Sequence, residues 1–87
     1  MAAPKVIMYA TGWCGYCGRA RRLLQSKDVA IEEIDIDAQR GARAEMIARS
    51  GRYTVPQIFI GETHVGGSTE LLELAAAGRL DSLLNGG

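Results

Sequence analysis

The sequence lacks most of what would place a small protein in a membrane, on nucleic acid or around a structural metal. No apolar run approaches the ~18 residues that cross a bilayer. Ten basic residues balance ten acidic ones, so the formal net charge is zero, and no electrostatic argument points to a nucleic acid or a membrane surface. Met1-Ala2-Ala3-Pro4-Lys5 has neither the basic n-region nor the apolar h-region of a secretory leader. A cytoplasmic, reducing compartment is therefore expected; an organellar protein stripped of its transit peptide would read the same. In such a compartment a structural disulfide is not expected, whereas a catalytic one is natural. Histidine occurs once, at His64, and cysteine twice. Those three residues fall short of the four ligands of structural zinc. The length of 87 residues predicts one domain, 1–87, with a single modest core.

Both cysteines lie in one short stretch, Gly12-Trp13-Cys14-Gly15-Tyr16-Cys17. Before it comes an apolar run, Val6 to Ala10, that reads as a buried strand. After it comes a basic run with helical apolar spacing, Arg19 to Lys27. A Cys-x-x-Cys at a strand-to-helix junction is a redox signature. At a helix start the unpaired backbone N–H groups and the positive end of the macrodipole favour thiolate over thiol. Cys17, three residues on, falls near the same helix face and within disulfide reach. Two alternatives remain at this point: half of a zinc site, and a pair of inert core cysteines. Trp13, beside the motif, reads equally as a recognition surface or as a packing residue.

Taken in order, Lys5–Ala10 is predicted as a central strand covered on both faces. Thr11–Trp13 is a loop, and a helix runs from Gly15 to about Lys27, with Ala20, Leu23 and Leu24 inward. Ala30–Ile36 reads as a second strand at a sheet edge, its alternation slipping between Ile31 and Ile34. Asp37 is the expected N-cap of a second helix, with Ala42, Met46, Ile47 and Ser50 on its inner face and Gly51 as its stop. Gln57–Ile60 and Thr63–Gly66 form a hairpin turning at Gly61-Glu62. Ser68 or Thr69 is expected to cap a third helix, with Glu70 in its first turn, Leu71, Leu72, Leu74 and Ala75 on its apolar side, and Gly78 at its end. Leu80–Leu84 is a last helical piece before a frayed Asn85-Gly86-Gly87. The first βαβ unit requires parallel strands and the later hairpin antiparallel ones. The expected fold class is α/β: one four-stranded mixed sheet with helices on both faces, and the cysteines at the carboxyl end of the first strand.

Cys14-Gly15-Tyr16-Cys17, then Thr54-Val55-Pro56, then Gly66-Gly67 opening a helix resemble the glutaredoxins, the glutathione-linked branch of the thioredoxin-fold family. The resemblance spans roughly Lys5 to Leu84. Tyr16 stands where thioredoxins usually carry proline. With Gly66-Gly67, it argues against a thioredoxin-like disulfide reductase served by a flavoprotein. The resemblance implies a thioredoxin-like fold and a glutathione-dependent thiol–disulfide oxidoreductase acting on glutathionylated or disulfide-containing proteins. It implies Cys14 as nucleophile and Cys17 as resolving thiol. Pro56 matches the family's cis-proline, and Thr11, Tyr16, Thr54, Val55 and Pro56 line a glutathione site. Gly67, Ser68, Thr69 and Glu70 match the segment that holds the γ-glutamyl end. Arg43 matches a position that reaches the glycine carboxylate, against the alternative of a solvated helix charge.

Three departures stand out. Thr11 replaces the family's usual lysine, Gly15 its usual proline, and Thr69 its usual acidic residue. The alternative function that the resemblance offers is a carrier of a [2Fe–2S] cluster. There, Cys14 and a bound glutathione from each of two chains would supply the thiolates. The expected state is thus a monomer, or a homodimer when a cluster bridges two chains.

Overall fold

The computed structural model describes residues 4–12 and 14–86. Met1, Ala2, Ala3, Trp13 and Gly87 lie outside the described residues, and with them the readings of the leader region, the tryptophan and the last residue. Among the described residues four strands and four helices follow in the order β1 (Val6–Ala10), α1 (Gly15–Ser26), β2 (Ile31–Asp35), α2 (Ala42–Ser50), β3 (Gln57–Ile60), β4 (Thr63–Gly66), α3 (Ser68–Ala76) and α4 (Leu80–Leu84). The sheet order is β2-β1-β3-β4. β1 pairs in parallel with β2 and antiparallel with β3, and β3 pairs antiparallel with β4. This is the expected mixed sheet, in a thioredoxin-like fold. Among the described residues no helix is long and apolar enough to cross a membrane.

The continuous apolarity of β1 has a direct cause. Val6, Met8 and Ala10 face a cluster with Cys17, Ala20, Leu24, Leu71, Leu80 and Leu84. Tyr9, between them, faces Ala42, Met46 and Phe59 on the other side. Helices α1, α3 and α4 thus cover one face and α2 the other. Side chains alternate across a strand, so a strand covered on both faces must be apolar throughout. The slip in β2 has the same origin. Ile31 packs with the first cluster and Ile34 with the second, and an odd spacing is what two covered faces require.

Three expectations are corrected. Asp37 does not cap α2. The Asp35 carboxylate accepts the Asp37 and Ala38 N–H groups at 2.9 and 3.2 Å, forming a local turn that competes with helix. The helix starts only after Gly41, which stands at the N-cap with φ 80°. Leu72 is 43% exposed, because it lies about 100° round the helix from the fully buried Leu71. Neither Ser68 nor Thr69 caps α3. Gly67 is its N-cap, and the Glu70 side chain reaches back to the Gly67 N–H. The end of α3 follows expectation closely: Gly78, at φ 72°, donates to Ala75, and Arg79 donates to Leu74, which is a Schellman motif.

Candidate active site

Cys14 is the N-cap of α1, in extended backbone conformation. Its sulfur accepts the Cys17 N–H at 3.3 Å, and its thiol points at the Val55 carbonyl, 3.6 Å away. It is partly exposed, whereas Cys17 is fully buried. Burial in the core of Ala20, Leu24 and Met8 is the main cause that pushes the Cys17 thiol up to about 12; the neighbouring Cys14 adds to it, while the Thr11 backbone and Arg21 pull the other way. One thiol of the pair is thus presented to solvent at a helix start, and the other is held protonated one turn inward. The two sulfurs are not joined in a disulfide.

The Val55–Pro56 peptide bond is cis. Beside Cys14 a groove runs between this turn and the start of α3. Tyr16, Arg52, Thr54, Val55 and Pro56 form one side, and Gly67, Ser68, Thr69 and Glu70 the other. A larger cavity of about 700 Å³ lies between β4, α3 and α4. Neither space is lined by a cysteine, but the smaller groove is the one that adjoins Cys14, through Val55.

The groove wall is held by Glu70. Its carboxylate accepts the Gly67 N–H at 2.5 Å and the Arg52 guanidinium at 3.1 Å. The Gly67 N–H, with Arg52 behind it, holds the Glu70 carboxyl below its ordinary 4.5, with partial burial opposing. Gly66, at φ 112°, leaves no room for a side chain, since a Cβ would meet a Glu70 carboxylate oxygen at 2.6 Å. Ser68 is 4% exposed, and its hydroxyl has no hydrogen-bond partner among the described residues. A buried hydroxyl without a partner, next to the open N-terminus of α3, suits an anionic or polar ligand atom.

Of the residues singled out from sequence, Tyr16, Thr54, Val55, Pro56, Gly67, Ser68, Thr69 and Glu70 line one groove. Cys14 adjoins it through Val55, and Thr11 lies behind it near Cys17. Arg43 is not among the lining residues. It pairs with Asp37 at 2.6 Å with half its side chain in water, the arrangement of a solvated helix charge. The cation that does line the groove, Arg52, escaped the sequence reading. Its signal was its place two residues before Thr54, in the same loop.

A family model described as Glutaredoxin matches residues 6–65. A glutaredoxin of Pseudomonas aeruginosa is 52% identical over 82 residues, covering 94% of this chain and 98% of that protein. The solution structure of a glutaredoxin from Brucella melitensis is 49% identical with a TM-score of 0.84, covering 98% of this chain and 92% of that one. A buckwheat glutaredoxin, solved as its complex with glutathione, superposes with a TM-score of 0.85 at 28% identity, covering 94% of this chain and 76% of that one. The motifs, the mixed sheet, the partly exposed thiol at the helix start and these matches agree: the chain belongs to the glutaredoxin family of glutathione-dependent thiol oxidoreductases.

Proposed function

We propose that this protein, acting as a single domain over residues 1–87, removes glutathione from protein mixed disulfides through Cys14. The observation that carries the reading is the asymmetry of the thiols: Cys14 partly exposed at the cap of α1, Cys17 fully buried and protonated. The Cys14 thiolate attacks the glutathionyl sulfur. That sulfur's bond to the substrate cysteine breaks, and the substrate leaves as a thiolate that takes up a proton. Glutathione thiolate then attacks the same sulfur, regenerating Cys14 and releasing glutathione disulfide. With a protein or small disulfide as substrate, the Cys14 thiolate attacks one of its sulfurs and releases the other as a thiolate; Cys17 then loses its proton and attacks the Cys14 sulfur, expelling the second substrate thiolate and leaving a Cys14–Cys17 disulfide that two glutathiones reduce, with release of glutathione disulfide. A reaction coupled to glutathione reductase, with a glutathionylated peptide as substrate, tests the proposal. Turnover is expected, and its absence with correctly folded protein would overturn the reading. The expected setting is the cytoplasm, with the chain a monomer and no nucleic acid or membrane as partner.

In this reading the glutathionyl group lies along the groove. The Val55 backbone pairs with its peptide backbone in the manner of an added strand. The N-terminus of α3, with Ser68 and Thr69, receives one carboxylate, and Arg52 is the cation placed to meet the other. Arg52→Ala should raise KM for a glutathionylated peptide about tenfold with kcat little changed, the pattern of lost uniform binding. Arg43→Ala should leave both within about twofold, because Arg43 does not line the groove and its exposed pair with Asp37 is worth little,. An equal rise for both variants would restore Arg43 to the site.

A second reading rests on the same exposed sulfur. No group of three or more metal-ligating side chains occurs among the described residues, and Cys17 is turned inward. A [2Fe–2S] cluster would therefore take Cys14 and one glutathione thiol from each of two chains. The space beside Gly15 is open: a methyl added there would meet no atom within 4 Å, which leaves the second chain room to approach. When bound, such a cluster supplies electron transfer or cluster delivery. Anaerobic reconstitution with iron, sulfide and glutathione should give a coloured dimer on size exclusion. A colourless monomer, or colour that survives Cys14→Ser, would contradict this second reading.

A further inference from the structure

Gln57 is the first residue of β3 and follows Pro56 directly, yet it is fully buried. It is the one polar residue of the strand, since Ile58, Phe59 and Ile60 are all buried hydrophobics. The amide has a defined set of partners. Its nitrogen donates to the Thr54 carbonyl at 3.1 Å and to the Thr54 hydroxyl at 3.2 Å. Its oxygen lies 2.7 Å from His64 Nε2. A carbonyl only accepts, so the amide nitrogen must face Thr54 and the amide oxygen must face His64. His64 Nε2 must then carry a hydrogen. The His64 ring is stacked on Phe59, with centroids 4.8 Å apart and planes at 28°, which fixes the direction of that N–H.

Thr54 itself is exposed, so water would satisfy its carbonyl and hydroxyl if Gln57 released them. The hydrogen bonds are not needed to rescue Thr54. Their consequence is mechanical: they tie an exposed turn to the centre of the sheet. That turn carries Val55, whose carbonyl accepts the Cys14 thiol, and it forms one side of the groove. We propose that Gln57 is a positioning residue for the glutathione site, holding the Thr54–Val55 turn against Cys14, and that His64 acts through it by fixing the amide's orientation. A merely structural glutamine would matter for stability but not for substrate affinity.

The inference rests on the groove being the glutathione site, and the test separates the two. If the site reading fails, the unmodified protein shows no saturable turnover of a glutathionylated peptide. If only the positioning role fails, the unmodified protein turns over and the variants share its KM. Gln57→Met keeps the apolar volume and removes both sets of hydrogen bonds. It should raise KM about fivefold to tenfold with kcat within about twofold. His64→Phe keeps the stacking on Phe59 and removes the donor, and should raise KM by a smaller factor. The double variant should match Gln57→Met alone, because residues acting in one chain of contacts are non-additive. Multiplying effects, or an unchanged KM in folded Gln57→Met, would overturn the proposal. Should Gln57→Met fail to fold, the unmodified protein supplies a second test. Nitrogen chemical shifts should show His64 with hydrogen on Nε2 and slow exchange of the Gln57 side-chain amide. A neutral His64 with its hydrogen on Nδ1 would overturn the assignment.

Discussion

Cys14→Ser should abolish glutathione–disulfide exchange, while Cys17→Ser should keep most of the deglutathionylating activity. The first outcome follows from place and chemistry. Cys14 is the one thiol at the helix start and beside the groove, and a serine hydroxyl ionises far too weakly to replace it. The second follows from the reaction sequence, in which free glutathione can resolve the Cys14 adduct without Cys17. Cys17→Ser should, however, lose activity on intramolecular protein disulfides, where the second thiol is needed. The same asymmetry is readable by alkylation of the reduced protein at mildly acidic pH followed by peptide mapping. Label should collect on Cys14, and Cys17, held as a thiol with its ionisation pushed up to about 12, should stay unlabelled. Preferential labelling of Cys17 would reverse the assignment of nucleophile and resolving thiol.

Gly66→Val should be the most damaging single substitution on the groove wall. The backbone there has φ 112°, and a Cβ would lie 2.6, 3.1 and 3.2 Å from three atoms of the Glu70 side chain. A branched residue is strained at that φ whatever space surrounds it. Displacing Glu70 also removes the acceptor of the Gly67 N–H at the start of α3. Backbone strain and a lost helix cap together should cost about 3 kcal/mol, read as a lower denaturation midpoint at constant m-value. Gly15→Ala is the control. No atom lies within 4 Å of its added methyl, so stability should change by less than about 1 kcal/mol. A Gly66→Val midpoint equal to that of Gly15→Ala would contradict this account of the wall.

The same contact has a pH signature. The Glu70 carboxyl is depressed in the folded protein, so its contribution is fully present above about 4.5 and is lost as pH falls through the lower folded value,. Glu70→Gln should flatten that part of the acid limb of the stability curve.

Much of this architecture could be read from residue order. The apolar run before the cysteines, the two-residue turn at Gly61-Glu62 and the Gly78 stop each rest on local chemistry that nothing distant overrides. Where reading failed, a competing interaction lay close by in sequence but became visible only in space. Asp35 gathers the Asp37 and Ala38 N–H groups into a turn just where Asp37 was expected to start a helix. Leu72 shares its composition with the inward leucines but not their angle round the helix. Gln57 reads as a polar residue at the start of a strand, and only the convergence of Thr54 and His64 gives its amide a task. The groove residues were legible because the resemblance carried three separated motifs. Arg52 was not, because outside those motifs a loop arginine looks like any other solvated charge.

The central claim is that Cys14 takes the glutathionyl group. Mass spectrometry of Cys17→Ser after incubation with a glutathionylated peptide, followed by proteolytic mapping, tests it most directly. The account predicts one glutathionyl adduct, on the peptide that contains Cys14, which disappears when reduced glutathione is added. Folded Cys17→Ser that releases the substrate thiol yet never carries the adduct would contradict it.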